Sequence, residues 1–149
     1  MVRSAMLTLC VVLLVGIRPG AAQQRRYKVI VNASNNVSTI TRDYLSQLFL
    51  KKTSRWANGQ VALPVNLPSD SPVRESFAQN VHGRSVSAIR AYWQRMVFSG
   101  GAVPPEERNS DSAVIAYVAA NANAIGYVSA GASVDGGIKV IQVGEGGVP

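Results

Sequence analysis

A single α/β domain, with helices layered on a sheet of three to five strands, follows from three features of the 149-residue chain. Short β-rich runs alternate with runs whose apolar residues recur at helical spacing. Turn chemistry separates almost every pair of runs. About 127 residues remain after an apolar N-terminal stretch, enough for one hydrophobic core.

Taken in order, residues 27–31 (YKVIV) are a β-rich run ended by the turn-forming stretch 32–36 (NASNN). Thr41 is placed to cap a helix whose apolar face is Tyr44, Leu45, Leu48 and Phe49. Residues 51–59 (KKTSRWANG) break that pattern, Asn58-Gly59 forms a tight-turn pair, and 61–65 return to strand. Pro64 has no N–H, which calls for a sheet edge or an unpaired position there. Ser71 caps the next helix, with Pro72 at its first position, where a missing N–H costs nothing, and Val73 and Phe77 on its inner face. Gly83 separates this helix from residues 86–98, capped by Ser85, with Val86, Ile89, Trp93, Met96 and Val97 inward. Residues 99–105 (SGGAVPP) form a loop. Ser110 or Asp111 starts a further helix with Val114, Ile115 and Val118 inward, ended by residues 121–123. Residues 124–128 (AIGYV) read as a buried strand, and Asp135-Gly136-Gly137 turns the chain into a final strand over 138–143. There is no internal repeat.

The first 22 residues read as an export signal. Arg3 supplies the positive start, residues 7–17 the apolar run, and Gly20-Ala21-Ala22 the small residues of a cut before Gln23. The competing reading is an uncleaved inner-membrane anchor, but 11 apolar-run residues fall short of the roughly 20 that span a bilayer. The only cysteine, Cys10, lies inside this run after Leu9, the wrong context for lipid attachment. The expected mature domain, residues 23–149, therefore contains no cysteine and uses no disulfide.

The chain carries 15 lysines and arginines against 8 acids, a formal charge of +7, which falls to +5 without Arg3 and Arg18. Apart from residues 25–28 and 51–55 the bases are dispersed, and zinc-finger spacing is missing, so nucleic acid is not an expected partner. Catalysis is not expected either. His82 is the single histidine, followed by Gly83, and reads as a surface or helix-end residue. Glu106 and Glu107 are adjacent, which does not face two carboxylates across one substrate. They are expected to cap the next helix or lie in solvent near it. No nucleophile elbow, zinc-ligand cluster or phosphate loop is present, and no cofactor or metal is expected.

The start of the Ser71 helix has more chemical content. Its unbonded N–H groups, beginning at Val73, can receive an oxyanion, with the Ser71 hydroxyl and the Arg74 guanidinium as further donors. Pro72 removes one backbone donor, and Asp70 sets a negative charge beside the same terminus. The alternative is a well-capped helix in which Arg74 pairs with Asp70 or Glu75.

Four segments together resemble the second lobe of the periplasmic phosphate-binding proteins of ABC importers. Residues 48–52 (LFLKK) followed by Trp56 are similar to that family's I-F-x-G-K…W, with Lys51 at the glycine. Residues 71–77 (SPVRESF) fall where the family has S-G-T…F. Residues 123–128 (NAIGYV) are similar to G-A-I-G-Y-V, with Asn123 at the first glycine, a substitution suited to a left-handed backbone. The strand from Ile138 follows at a distance compatible with that family.

The resemblance implies a lobe of the type 2 periplasmic-binding-protein fold, in which an oxyanion is held between two α/β lobes and delivered to a membrane permease. Its R-x-D-x-S-G-T segment falls on this chain with Leu67 at the arginine, Ser69 at the aspartate, Pro72 at the glycine and Val73 at the threonine. Only Ser71 keeps its residue type. Each lost charge-assisted bond is worth roughly 1.5–3 kcal/mol, so binding of phosphate or another oxyanion is expected to be weak.

Two functions are therefore expected as alternatives. One is an exported, periplasmic, non-catalytic relative of substrate-binding proteins, with weak oxyanion binding at Ser71, Val73 and Arg74. The other is an adaptor or self-associating module that uses its surface, with Trp56, Lys52 and the 99–105 loop as the candidate contact region; the alternative for these features is a core-anchoring tryptophan and an ordinary turn.

Overall fold

The computed structural model describes residues 26–145. The expected signal segment, residues 1–22, and its cut before Gln23 lie outside the described residues. The chain runs β1 (Tyr27–Asn32), β2 (Thr39–Thr41), α1 (Arg42–Phe49), β3 (Leu63–Asn66), α2 (Pro72–Phe77), a π-helical turn (Ala78–His82), α3 (Val86–Phe98), β4 (Glu106–Glu107), α4 (Asp111–Ala120), β5 (Ala124–Ser129) and β6 (Ile138–Gly144).

One mixed sheet of six strands in the order β2-β6-β1-β5-β3-β4 organises the domain. β1 is antiparallel to both neighbours, with Ile30 opposite Gly126 and Val140. β3 runs parallel to β5 and to β4, and β2 parallel to β6. Six strands exceed the expected three to five. β2 is three residues long and β4 two, and neither carries a hydrophobic alternation long enough to read from sequence.

Side-chain alternation along β5 places helices on both faces of the sheet. A Cβ at Gly126 would stand 2.8 Å from Val114 of α4 and 2.9 Å from Val65, so glycine here lets α4 close on the strand. The next residue, Tyr127, points to the opposite face and stacks on Phe77 of α2 at 3.9 Å and 7°. Phe49 of α1 and Tyr27 of β1 complete that cluster, 4.8 and 5.3 Å from Phe77. α3 packs outside this layer, its Val86, Ile89 and Trp93 forming a second small core with Leu50 and Ala78.

The four helix starts carry the expected caps. Thr41, Ser71, Ser85 and Ser110 each accept from the N–H three residues on, at 3.2, 3.4, 3.2 and 3.1 Å. At the other end of α4, the buried Asn32 donates to the carbonyls of Val118 and Ala119, both at 2.9 Å. Pro64 sits between β5 and β4 rather than on a free edge. The Leu63 N–H bonds to Asn123, so the proline nitrogen faces the other side, where pairing with β4 begins only at Val65.

Several local expectations are corrected. Val97 is 50% exposed, because α3 buries only the Val86, Ile89 and Trp93 stripe. Glu106 and Glu107 form β4 and do not cap α4, whose cap is Ser110, though both lie exposed to solvent as the alternative has it. Asn123 does not adopt a left-handed backbone. Among non-glycine described residues only Lys51 does, at φ 52°, the position that is glycine in the resembling family.

Candidate functional site at the start of α2

β3 ends at Asn66 and delivers Leu67 into the core, where it is 3% exposed. The chain turns through Pro68–Asp70, closed by the Ser71 N–H on the Pro68 carbonyl at 3.0 Å, and α2 starts. Ser71 Oγ accepts from the Arg74 N–H, and Pro72 has none to give. The Val73 N–H, on the second helical residue, is thus a backbone donor without an intrahelical acceptor. Val73 itself is half-buried against the core.

Arg74 pairs with neither Asp70 nor Glu75. Its Nη1 donates to the Leu67 carbonyl at 2.6 Å and to Glu107 Oε2 of β4 at 2.5 Å, and its side chain is only 13% exposed. Glu75 turns the other way, accepting from Gln79 at 2.9 Å and from the Val86 N–H at 3.0 Å, contacts that lower its pKa. The structure therefore brings Ser71, the Val73 amide and Arg74 to one place. It also commits the arginine to a carboxylate and a carbonyl.

Beneath this terminus lies a polar layer within the aromatic cluster. The Tyr127 hydroxyl donates to Asn66 Oδ1 at 3.1 Å, and burial raises the tyrosine pKa. His82, expected at the surface or a helix end, is drawn inward by the π-helical turn that Gly83 closes at φ 63°. Its Nδ1 lies 2.8 Å from Ser46 Oγ, and its ring meets the edge of Phe77 at 5.6 Å. Burial, then the charges of Arg84, Lys52 and Arg74, push its pKa down to about 4. No sequence signal marked His82 as interior, because the wide π turn has no distinctive pattern.

Trp56 is a core residue. Its ring is 3% exposed and its indole N–H donates to the Asn123 carbonyl at 2.9 Å, so the ring offers no surface to a partner. Lys52 beside it is exposed.

A groove of about 440 Å³ opens between α3 and the segment leading into β4. Val86, Trp93, Pro104 and Pro105 give it apolar walls, and Ser69, Arg74, Arg90 and Glu107 supply its polar groups. Among the described residues, no group of three or more histidines, cysteines, aspartates or glutamates could hold a metal ion. No helix among them is long and apolar enough to cross a membrane.

No protein-family model matches the sequence, and no curated protein does. Solved structures do. An ABC-type phosphate transport receptor from Vibrio cholerae aligns with TM-score 0.62 and 26% identity over 78% of this chain and 45% of its own. A phosphate-bound protein from Clostridium perfringens, assigned as a phosphate ABC transporter substrate-binding protein, aligns with TM-score 0.62 and 20% identity over 78% and 44%. PstS from Borrelia burgdorferi aligns with TM-score 0.56 and 15% identity over 79% and 47%. The chain spans less than half the length of the solved proteins it matches. It is a remote and partial relative of the phosphate-transport binding proteins, with a fold consistent with the type 2 periplasmic-binding-protein class.

Proposed function

We propose that the protein is an exported, non-catalytic binding domain corresponding to one lobe of that architecture, with its signal segment cleaved after Ala22, and that it contacts oxyanions weakly at the start of α2. Phosphate is the first candidate ligand, and a membrane permease the first candidate protein partner. The ligand would meet the Val73 N–H, the Ser71 hydroxyl and whatever part of the Arg74 guanidinium Glu107 leaves free.

The observation that carries this reading is the double commitment of Arg74 to the Leu67 carbonyl and to Glu107. An incoming anion must compete with a carboxylate already in place. Leu67, at the position where the resembling family has arginine, is buried among core residues and adds no donor. A monomer with one wall of a cleft also leaves its ligand in water, where each bond is worth less.

Amide chemical-shift mapping during a phosphate titration tests this. The Val73 and Arg74 amides are expected to move in fast exchange, with half-saturation in the millimolar range. Stationary amides at α2 together with shifts elsewhere would overturn the assignment.

A second reading, an adaptor module, is favoured by the groove beside α3, which is lined by Arg90, an arginine with no ion-pair partner among the described residues.

A further inference from the structure

From Glu75 to Glu106 the chain contains no acidic residue, while Arg84, Arg90 and Arg95 all fall within that interval. This segment builds α3 and the loop after it. Arg90 and Arg95 are exposed and have no ion-pair or hydrogen-bond partner among the described residues, whereas Arg74 across the groove is neutralised by Glu107. The face is therefore locally cationic, with Arg90 as the uncompensated charge at the groove.

The same segment concentrates apolar exposure. Phe98 is 91% exposed, Val103 65% and Val97 50%, three of the five large hydrophobics that are exposed among the described residues. On a helix Arg90, Gln94, Val97 and Phe98 share one face. Val103 leads directly into Pro104 and Pro105 of the groove wall. The slot with Arg90 at its side and the exposed Phe98 and Val103 beyond it are all built by α3 and the loop that follows it.

Charge decides between occupants. A second copy meeting this face symmetrically would bring Arg90 toward its equivalent on a chain whose formal charge is +7, which opposes association. A bilayer is flat and cannot enter a slot of about 440 Å³ walled by Trp93, Val86 and the two prolines. An extended chain can seat a side chain there and set carboxylates beside it.

We propose that this groove docks an acidic, extended polypeptide segment, with one apolar side chain against Trp93 and Val86 and a neighbouring carboxylate on Arg90. Phe98 and Val103 cover the segment's next apolar residue. The groove shares Arg74 with the oxyanion contacts, but that guanidinium is held by Glu107, and the docking rests on Arg90, Trp93 and Val86, which are distinct from the oxyanion donors Ser71 and Val73.

The test is fluorescence anisotropy with a labelled, end-capped peptide of alternating glutamate and phenylalanine or leucine, beside the same peptide with lysine for glutamate. The acidic peptide is expected to bind in the micromolar range, more weakly as salt rises, and the basic one not to bind. Arg90→Glu should weaken binding by about tenfold, and Phe98→Ala severalfold, in proteins that melt like the parent because neither side chain is buried. Saturating phosphate should leave peptide binding in place. Equal binding of the basic peptide, unchanged affinity in Arg90→Glu, or displacement by phosphate would overturn the groove assignment. So would association with phosphatidylglycerol vesicles by a protein that ignores the acidic peptide.

Discussion

Acidification should destabilise the domain through His82 before it does so through Glu75. The imidazole ordinarily titrates near 6.5, and in the folded protein burial and nearby cations hold it at about 4. A base whose folded pKa is depressed contributes its stability above its unfolded pKa and loses it as pH falls below that value. The loss therefore begins near pH 6.5 and continues to about pH 4. At about 1.4 kcal/mol for each pH step, it reaches roughly 2 kcal/mol by pH 5 and about 3 kcal/mol at its limit. That is a large share of the roughly 5–15 kcal/mol that holds most domains together. Glu75, lowered from 4.5 by Gln79 and Val86, enters only below that pH, so its loss is separated from that of the histidine. Urea unfolding at pH 7, 6, 5.5 and 5 measures it, with His82→Gln as the control that has nothing to titrate. The parent should lose stability across the series and the variant should stay level. Parallel curves for the two proteins would refute the buried, neutral imidazole.

Three further outcomes follow from backbone and packing. Lys51→Gly should raise stability by about 0.5–1 kcal/mol in thermal melts, because it relieves a left-handed backbone at φ 52°. Gly126→Ala should lower it by about 1–3 kcal/mol, since the new methyl meets Val114 and Val65 at 2.8 and 2.9 Å. Asn32→Ala should cost about 1–3 kcal/mol by leaving the Val118 and Ala119 carbonyls at the end of α4 without their donor, read as earlier exchange of α4 amides as well as a lower melting point.

What could be read from the chain were features set by local chemistry. Ser71, Ser85, Ser110 and Thr41 announce helix starts because a short hydroxyl side chain satisfies an N–H three residues away, and that bond needs no tertiary partner. The long strands β1, β5 and β6 announce themselves by β-branched runs. β2 and β4 do not, because so few residues leave no period, and each is defined only by the neighbour it pairs with. The same limit applied to the site. The placement of Ser71 and Arg74 at one terminus was legible, but the partner of Arg74 lies 33 residues away in sequence, on a strand that exists only through pairing. Trp56 reads as either a core anchor or a contact residue, and His82 falls at a helix end as expected, but what draws each inward was not legible. Their burial depends on the Asn123 carbonyl and the Ser46 hydroxyl, contacts that no local pattern encodes.

Glu107→Gln is the most direct probe of the weak oxyanion site, because it removes the carboxylate that occupies Arg74 without touching the helix start. Phosphate titrated calorimetrically into the parent should give at most millimolar binding. In Glu107→Gln the released guanidinium should strengthen binding by about tenfold, the equivalent of one partly exposed charge-assisted bond of about 1.5 kcal/mol, and adding Arg74→Ala should abolish the gain. Micromolar binding by the parent that survives Arg74→Ala would contradict the site, as would a Glu107→Gln protein that is folded and binds phosphate no better than before.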